Sequence, residues 1–397
     1  MSDHILLTFN PGSSTIKIGL FADGAEGTRR LGKGVIDLRH VPLCLHIVEG
    51  PTTAEIPLKA AVTEDLHEVI AETLGWLAQH FGVSALTAIG HRVVHGGDQF
   101  SGPVRITPEV ADAIAALVPL APLHQPHSVR LIKAIEHLRP HLPQVASFDT
   151  AFHRTQSDQV RRFALPRDLF DAGIKRYGFH GLSYKYIASA LAREAPEVAQ
   201  GRVVAAHLGS GASLCALQGG LSVDTSMGFS TLDGIPMATR CGALDPGVLL
   251  HLLTQKGLPL SEVEDMLYHR SGLLGLSGIS ADSRALLESP APEAREALDY
   301  FSFRIARETA ALANTLSGLD ALVFTAGIGE HQPAIRAAVC AHLGWLGVSL
   351  DAATNAANAT RINAPDSRVA VFVLPTDEEQ VIADETFSIL HAPEFSS

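Results

Sequence analysis

Two arginines, a few carboxylates and two small-residue turns are the parts of this chain that could do chemistry. Arg92 lies in His91-Arg92-Val93-Val94, after a short apolar strand pattern, and Arg240 ends a glycine-rich stretch. A guanidinium stays charged, so an arginine in apolar or glycine-rich surroundings calls for an anion, either a bound ligand or a structural carboxylate. Asp149 follows the apolar run 145–148, and Glu378-Glu379 follow the run 369–374. Both lie at the carboxyl ends of expected strands, where open α/β sheets collect ligand sites. The turn Gly209-Ser210-Gly211-Ala212-Ser213 separates two apolar runs, and Asn10-Pro11-Gly12-Ser13-Ser14-Thr15 separates two others. Turns of this composition expose backbone N–H groups and leave room for a phosphate to approach. The chain has no GxxxxGK[ST] loop and no protein-kinase signature set, so any nucleotide would be handled by hairpin turns and separate loops.

Nineteen histidines invite a zinc reading, since His91 and His95 have i, i+4 spacing and His153 follows Asp149 closely. The HExxH glutamate is missing, and Val93-Val94 beside Gly96-Gly97 favours strand and turn over helix, so histidine metal ligation is not expected. Cys44, Cys215, Cys241 and Cys340 are scattered without a CxxC pair, which points to reduced thiols in a cytoplasmic protein. A net charge of −12 argues against non-specific binding to nucleic acid or anionic membrane. The nearest approach to a spanning segment, 110–123, is broken by Asp112, Pro119 and Pro122, and the N-terminus lacks a basic leader pattern.

At 397 residues the chain is long enough for two domains. Strand, small-residue turn, strand opens each half, over 5–20 and over 202–224, which suggests a duplication holding a nucleotide phosphate between its halves. Further antiparallel strands are expected over 32–56. An amphipathic helix is expected over 65–81, with Leu66, Val69, Ile70, Leu77 and Phe81 on one face and Gly82 as its stop. Thr107 should cap a helix that begins with Pro108. The run Ala121-Pro122-Leu123-His124-Gln125-Pro126-His127 reads as non-helical, with a helix after it over 128–138. Helices are expected over 184–193, 246–255 and 293–316, and Ser261 with Glu264 reads as a capping box. Residues 226–240 read as a long loop, and the strand 322–325 as breaking at 326–330 with a helix behind it. The alternation of strands and helices places the chain in the α/β class.

The motifs NPGSSTIK (10–17), HRVVHGG (91–97), APLHQP (121–126), FDTAFH (148–153), RYGFHG (176–181), HLGSG (207–211), DTSMGFSTLDGIPMATR (224–240), TAGIGE (325–330) and PTDEE (375–379) occur in this order over nearly the whole chain. Together they resemble the acetate kinase family, within the actin-like, sugar-kinase and Hsp70 superfamily. The resemblance implies two duplicated ribonuclease-H-like domains with the active-site cleft between them. The first would span 1–150, joined by a C-terminal helix at about 380–397, and the second, nucleotide-binding, would span 151–379. It implies reversible Mg²⁺-dependent (or Mn²⁺-dependent) transfer of the ATP γ-phosphoryl group to a short carboxylate, in a cytoplasmic homodimer.

By the same resemblance, Asp149, Arg92, Arg240, His180 and His124 would be catalytic, and Asn10 and Glu378 would hold the metal. Arg92, Val94, Leu123, Phe179 and Thr231 would bind the carboxylate. Lys17, the segment His207, Leu208, Gly209, Ser210 and Gly211, the group Asp282, Ser283 and Arg284, and Gly327, Ile328, Gly329, Glu330 and His331 would bind the nucleotide. The family pattern has Asn at positions 210 and 331, Phe at 283 and Pro at 231, where this chain has Ser210, His331, Ser283 and Thr231. Acetate is the expected acid, with propionate or butyrate as rivals. A non-catalytic nucleotide-binding regulator and a phosphoanhydride hydrolase are the readings from other classes.

Overall fold

Both opening hairpins form because their strands are mostly apolar while the residues between them are small. The computed structural model describes residues 4–12, 15–24, 27–60, 66–81 and 86–392. Ser13, Ser14, Asp65, Gly82 and the last five residues of the expected C-terminal helix lie outside the described residues. The chain divides into two compact units, 1–152 with 377–397, and 153–376.

Unit 1 holds β1 (His4–Pro11), β2 (Thr15–Gly24), β3 (Gly27–Asp37), β4 (Cys44–Glu49), β5 (Thr52–Pro57), β6 (Leu86–Val93), β7 (Val104–Arg105) and β8 (Gln144–Phe148). They form one sheet in the order β5-β4-β3-β2-β1-β6-β8-β7, in which β1 is antiparallel to β2 and parallel to β6. Residues Ile5 to Pro11 of β1 are buried without a break, because both faces of the sheet are covered. Ile5, Leu7 and Phe9 join the core under helices His67–Phe81 and Gln125–Leu138. Leu6 and Phe21 face Ala383 of helix Glu378–Leu390. That helix sits close because glycines lie beneath it: a Cβ at Gly90 would strike Thr386 and come within 2.6 Å of Ile382.

Unit 2 holds β9 (Arg202–Leu208), β10 (Ala212–Gln218), β11 (Leu221–Thr225), β12 (Ala321–Thr325) and β13 (Ala370–Val373), in the order β11-β10-β9-β12-β13. β9 is antiparallel to β10 and parallel to β12. Its five strands repeat the order and directions of β3-β2-β1-β6-β8, so the duplication is structural and each unit is ribonuclease-H-like.

Thr107 caps helix Pro108–Ala116 as expected, accepting from the Val110 N–H. Four local readings need correction. Helix Gln125–Leu138 begins inside the proline-containing run, because Pro126 falls in its first turn, where a missing N–H costs nothing. Helix Leu260–His269 starts after Pro259 with no side-chain cap, so Ser261 and Glu264 form no capping box. Residues 326–330 are not a break but most of a short helix, Ala326–His331. Arg92 lies within β6, not after it.

Candidate active site

In unit 1 the charged residues meet at the carboxyl ends of β1, β6 and β8. Arg92 gives Nε and Nη2 to Asp149, at 3.1 and 2.6 Å, and Nη1 to the Asn10 side-chain oxygen at 3.2 Å and the Pro11 carbonyl at 3.3 Å. The anion that Arg92 requires is thus Asp149, whose side chain is only 1% exposed. Burial works against the Arg92 charge, but Asp149, Glu378 and Glu379 outweigh it and raise its pKa. These bonds leave one Nη2 hydrogen of Arg92 for a ligand.

The Asn10 amide also donates to Glu378 and Glu379, at 2.8 Å each. Lys17 is the direct cross-strand partner of Asn10 and so shares its face of the sheet. Glu379, which the sequence placed only beside Glu378, stands as an equal member of this group. Three carboxylates and an amide oxygen are ligand types of the hard-oxygen kind, here turned to the Arg92 guanidinium and the Asn10 amide.

The backbone under Arg92 is fixed by residues that local pattern did not single out. Ser128 donates to the Arg92 carbonyl at 3.0 Å. Buried Gln125 accepts from the His95 N–H and donates to the His95 and Ile114 carbonyls. His91 sits on β6, bonded to Gln144 at 2.8 Å, and His95 accepts the Gly97 N–H. Burial holds both imidazoles down to about 4, so they are neutral struts. Val94 is buried beside Arg92, while Leu123 and His124 are half-buried just ahead of helix Gln125–Leu138.

In unit 2 the turn 209–211 joins β9 to β10 and is pinned on both sides. The Gly209 N–H bonds the Gly211 carbonyl, and the Ala238 N–H bonds the Ser210 carbonyl at 3.2 Å. A Cβ at Gly211 would lie 3.4 Å from His180 Nε2 and 3.6 Å from Arg240 Nη2, so both cationic or donor tips converge on this glycine. Arg240 is anchored by Nη1 to the carbonyl of buried Thr231, at 3.1 Å.

His180 precedes helix Gly181–Glu194 with φ 57°, a left-handed conformation that a non-glycine residue holds only under constraint. Its ring stacks on His207 at 4.2 Å, and its Nδ1 lies 2.8 Å from Ser213 Oγ. His207 Nδ1 bonds Ser183, and Ser183 bonds Thr376, whose N–H reaches Glu330 at 3.3 Å. His153 holds the neighbouring backbone: its Nε2 donates to the Phe179 carbonyl at 2.9 Å, with Ser222 on Nδ1. Phe179 itself is buried. None of Ser183, Ser213 and Thr376 was expected, although Ser213 closes the small-residue turn and Thr376 lies in the PTDEE run.

The remaining nucleotide candidates of unit 2 flank short helices. Asp282 caps helix Ser283–Glu288 and pairs with exposed Arg284 at 2.8 Å. Ser283 is buried and accepts from Gln332 at 2.7 Å, so it serves packing as it stands. Gly327 is exposed with open space about it, Ile328 and Glu330 are half-buried, Gly329 is buried and His331 is exposed. Fully buried Arg336 donates to the Gly329 and Glu330 carbonyls, at 2.8 and 3.0 Å, and stabilises the end of that helix.

The Acetokinase family model matches residues 5–384. The acetate kinase of Rhodopseudomonas palustris is 50% identical over 390 residues, covering 96% of this chain and 97% of its own. Among solved structures, a propionate kinase from Francisella tularensis has a TM-score of 0.89 at 35% identity, covering 97% of this chain and 99% of its own. Porphyromonas gingivalis acetate kinase has a TM-score of 0.86 at 34% identity, with the same shares covered. Likeness of this extent, over both units and every motif above, makes the chain a member of the acetokinase family and a phosphotransferase.

Proposed function

We propose that the chain catalyses reversible, direct in-line transfer of the ATP γ-phosphoryl group to acetate, giving acetyl phosphate and ADP. The observation that carries this reading is the convergence of His180 Nε2 and Arg240 Nη2 on Gly211, in a partly exposed turn of small residues. A carboxylate is already a nucleophile at neutral pH, so no strong base is required. The difficulty is to hold two anions together and to stabilise a spread phosphoryl charge, which positioned cations and donors do.

Arg240 and Arg92 take the roles of gripping carboxylate and phosphoryl oxygens, with Asp149 holding Arg92 in orientation. Buried Tyr184 keeps its proton, since burial raises its pKa well above the usual phenol range. It donates to Ser213 Oγ at 2.5 Å, and Ser213 in turn donates to His180 Nδ1, which leaves His180 Nε2–H facing the equatorial oxygens. His124 is assigned a supporting part there. Residues 207–211 cradle the nucleotide phosphates, and the segments 282–284 and 327–331 border the adenosine. Lys17 is assigned to the phosphate from unit 1. Asn10 and Glu378, with Glu379, would hold Mg²⁺, which when bound neutralises phosphate charge.

A longer acid is the second reading. Thr231 replaces the family's proline, and the Francisella relative is a propionate kinase. Val94 and Leu123 in unit 1, and Phe179 and Thr231 in unit 2, are the side chains assigned to the acyl chain. One methylene is worth about 1–3 kcal/mol of discrimination.

The test is acyl phosphate formation trapped with hydroxylamine, with acetate, propionate, butyrate and no acid, each with and without Mg²⁺. A signal greatest with acetate and dependent on Mg²⁺ is expected. A maximum at propionate moves the assignment to the second reading, and no product with any acid overturns both.

No helix among the described residues is long and apolar enough to cross a membrane. A cytoplasmic homodimer belongs to the same proposal. The dimer is supported by helix Pro246–Thr254, PGVLLHLLT, of which no residue is buried and in which Leu250 is 62% exposed. Light scattering should give a dimer, and Leu250→Glu should shift it to monomer.

A further inference from the structure

The outer hairpin of unit 1 carries three metal-capable side chains that phosphoryl transfer does not use. Cys44 and His46 stand two residues apart on β4, so they project from the same face of the sheet. Glu55 on β5 is the direct cross-strand partner of His46. One donor atom from each, a sulfur, a nitrogen and an oxygen, lies within 4.8 Å of the others, and His46 Nδ1 is 3.3 Å from Glu55 Oε1. Among the described residues this is the one group of three histidine, cysteine or acidic side chains drawn together in this way.

The arrangement is fixed by the fold. Leu45, Ile47 and Ile56 occupy the alternate positions and pack into the core under the sheet. A one-residue slip of β4 against β5 would turn these apolar residues out to solvent, so the register that aligns His46 with Glu55 is held by hydrophobic burial.

We propose that Cys44, His46 and Glu55 form a binding site for a borderline divalent cation of the zinc class, with water as the fourth ligand. A thiolate and an imidazole select such an ion over Mg²⁺, which prefers an all-oxygen shell. Bonds of about 2.0–2.3 Å to a tetrahedral Zn²⁺ set donor separations of roughly 3.2–3.8 Å. The His46–Glu55 spacing already falls in that range, and small rotations of partly exposed side chains close the rest. The other thiols are poorer ligands: burial pushes Cys340 up to about 12 and also raises Cys215 and Cys241.

The site is separate from the Asn10 group. Cross-strand partners run Asn10, Lys17, Val35, His46, Glu55 across the sheet, which sets His46 three strands from Asn10, or about 14 Å. A bound ion would tie β4 to β5, an edge strand of the sheet.

The experiment titrates the full-length protein with Co²⁺ in excess Mg²⁺, which occupies hard-oxygen sites, and then displaces Co²⁺ with Zn²⁺. The expected result is an intense thiolate-to-cobalt absorption saturating at one equivalent, lost in Cys44→Ser and in His46→Ala and weakened in Glu55→Gln. Zn²⁺ should also raise hydrogen-exchange protection of residues 44–57 in the parent protein and leave Cys44→Ser unchanged. Absence of the thiolate band, its persistence in Cys44→Ser, or equal Zn²⁺ stoichiometry in parent and Cys44→Ser/His46→Ala proteins would overturn the proposal.

Discussion

The two units build the same five-stranded core and place opposite chemistries on it. At the end of the first strand, unit 1 has Asn10 and unit 2 has His207. Their direct partners on the second strand are Lys17 and Ser213. The first parallel neighbour delivers Arg92 in unit 1 and the Thr325–Ala326 junction in unit 2. After the second come Asp149 and, a few residues past β13, Thr376. Unit 1 therefore fills three of these four positions with full charges and the first with an amide, and unit 2 fills them with hydroxyls, imidazoles and small residues. The strand order fixes where side chains gather, and the residue types then decide whether the place acts by charge or by backbone and shape.

The largest effect should come from breaking the charged half. Arg92→Lys keeps the charge and loses the fork that spans Asp149, so kcat should fall by about 10³-fold or more with the fold retained. Near-normal turnover in acyl phosphate assays would remove Arg92 from its role. Stability should divide the units in the same direction. Asp149→Ala takes from the part-buried Arg92 guanidinium its bidentate partner, leaving Glu378 and Glu379 as the nearby charges, and should cost about 3 kcal/mol. Thr376→Val, at the matching place in unit 2, deletes a neutral bond and should cost about 1 kcal/mol. Urea midpoints measure both, and equal losses would dissolve the contrast.

The shape half is tested by Gly211→Ala. Its Cβ would make ordinary contacts with His180 and Arg240, so the fold should survive. The same methyl would stand in the proposed path of the phosphate, and the KM for ATP should rise about tenfold. An unchanged KM would show that the turn does not face the nucleotide.

A further expected effect is one that the units share. Burial holds His91 and His95 in unit 1, and His153 in unit 2, down to about 4. A histidine depressed in the fold binds its proton more readily when unfolded, where its pKa is about 6.5. Its contribution is therefore complete above pH 6.5 and is lost as pH falls towards 4. Urea midpoints should be level from pH 8 to 7 and decline below 6.5. A midpoint unchanged down to pH 4.5 would contradict neutral burial of these rings.

The sequence by itself determined the elements whose cause is local. The two hairpins follow from apolar runs parted by small residues, and the helix after Thr107 follows from a cap and a proline at its first position. The motifs were enough to identify the family, because so many short patterns in one order admit few alternatives. Tertiary structure decided which residues meet. Asn10 reaches Glu378 across 368 positions, and no local period records that contact. Gln125 joins a helix despite the neighbouring prolines, its side chain bonded to distant backbone at His95 and Ile114. Residues 326–331 close as a helix with Arg336 on two of their carbonyls. For Asn10 and Gln125 the deciding free energy comes from burying and satisfying polar groups between segments well apart in the chain, which a window of neighbouring residues does not contain, whereas Arg336 acts from nearby by turning back, buried, onto the carbonyls before it.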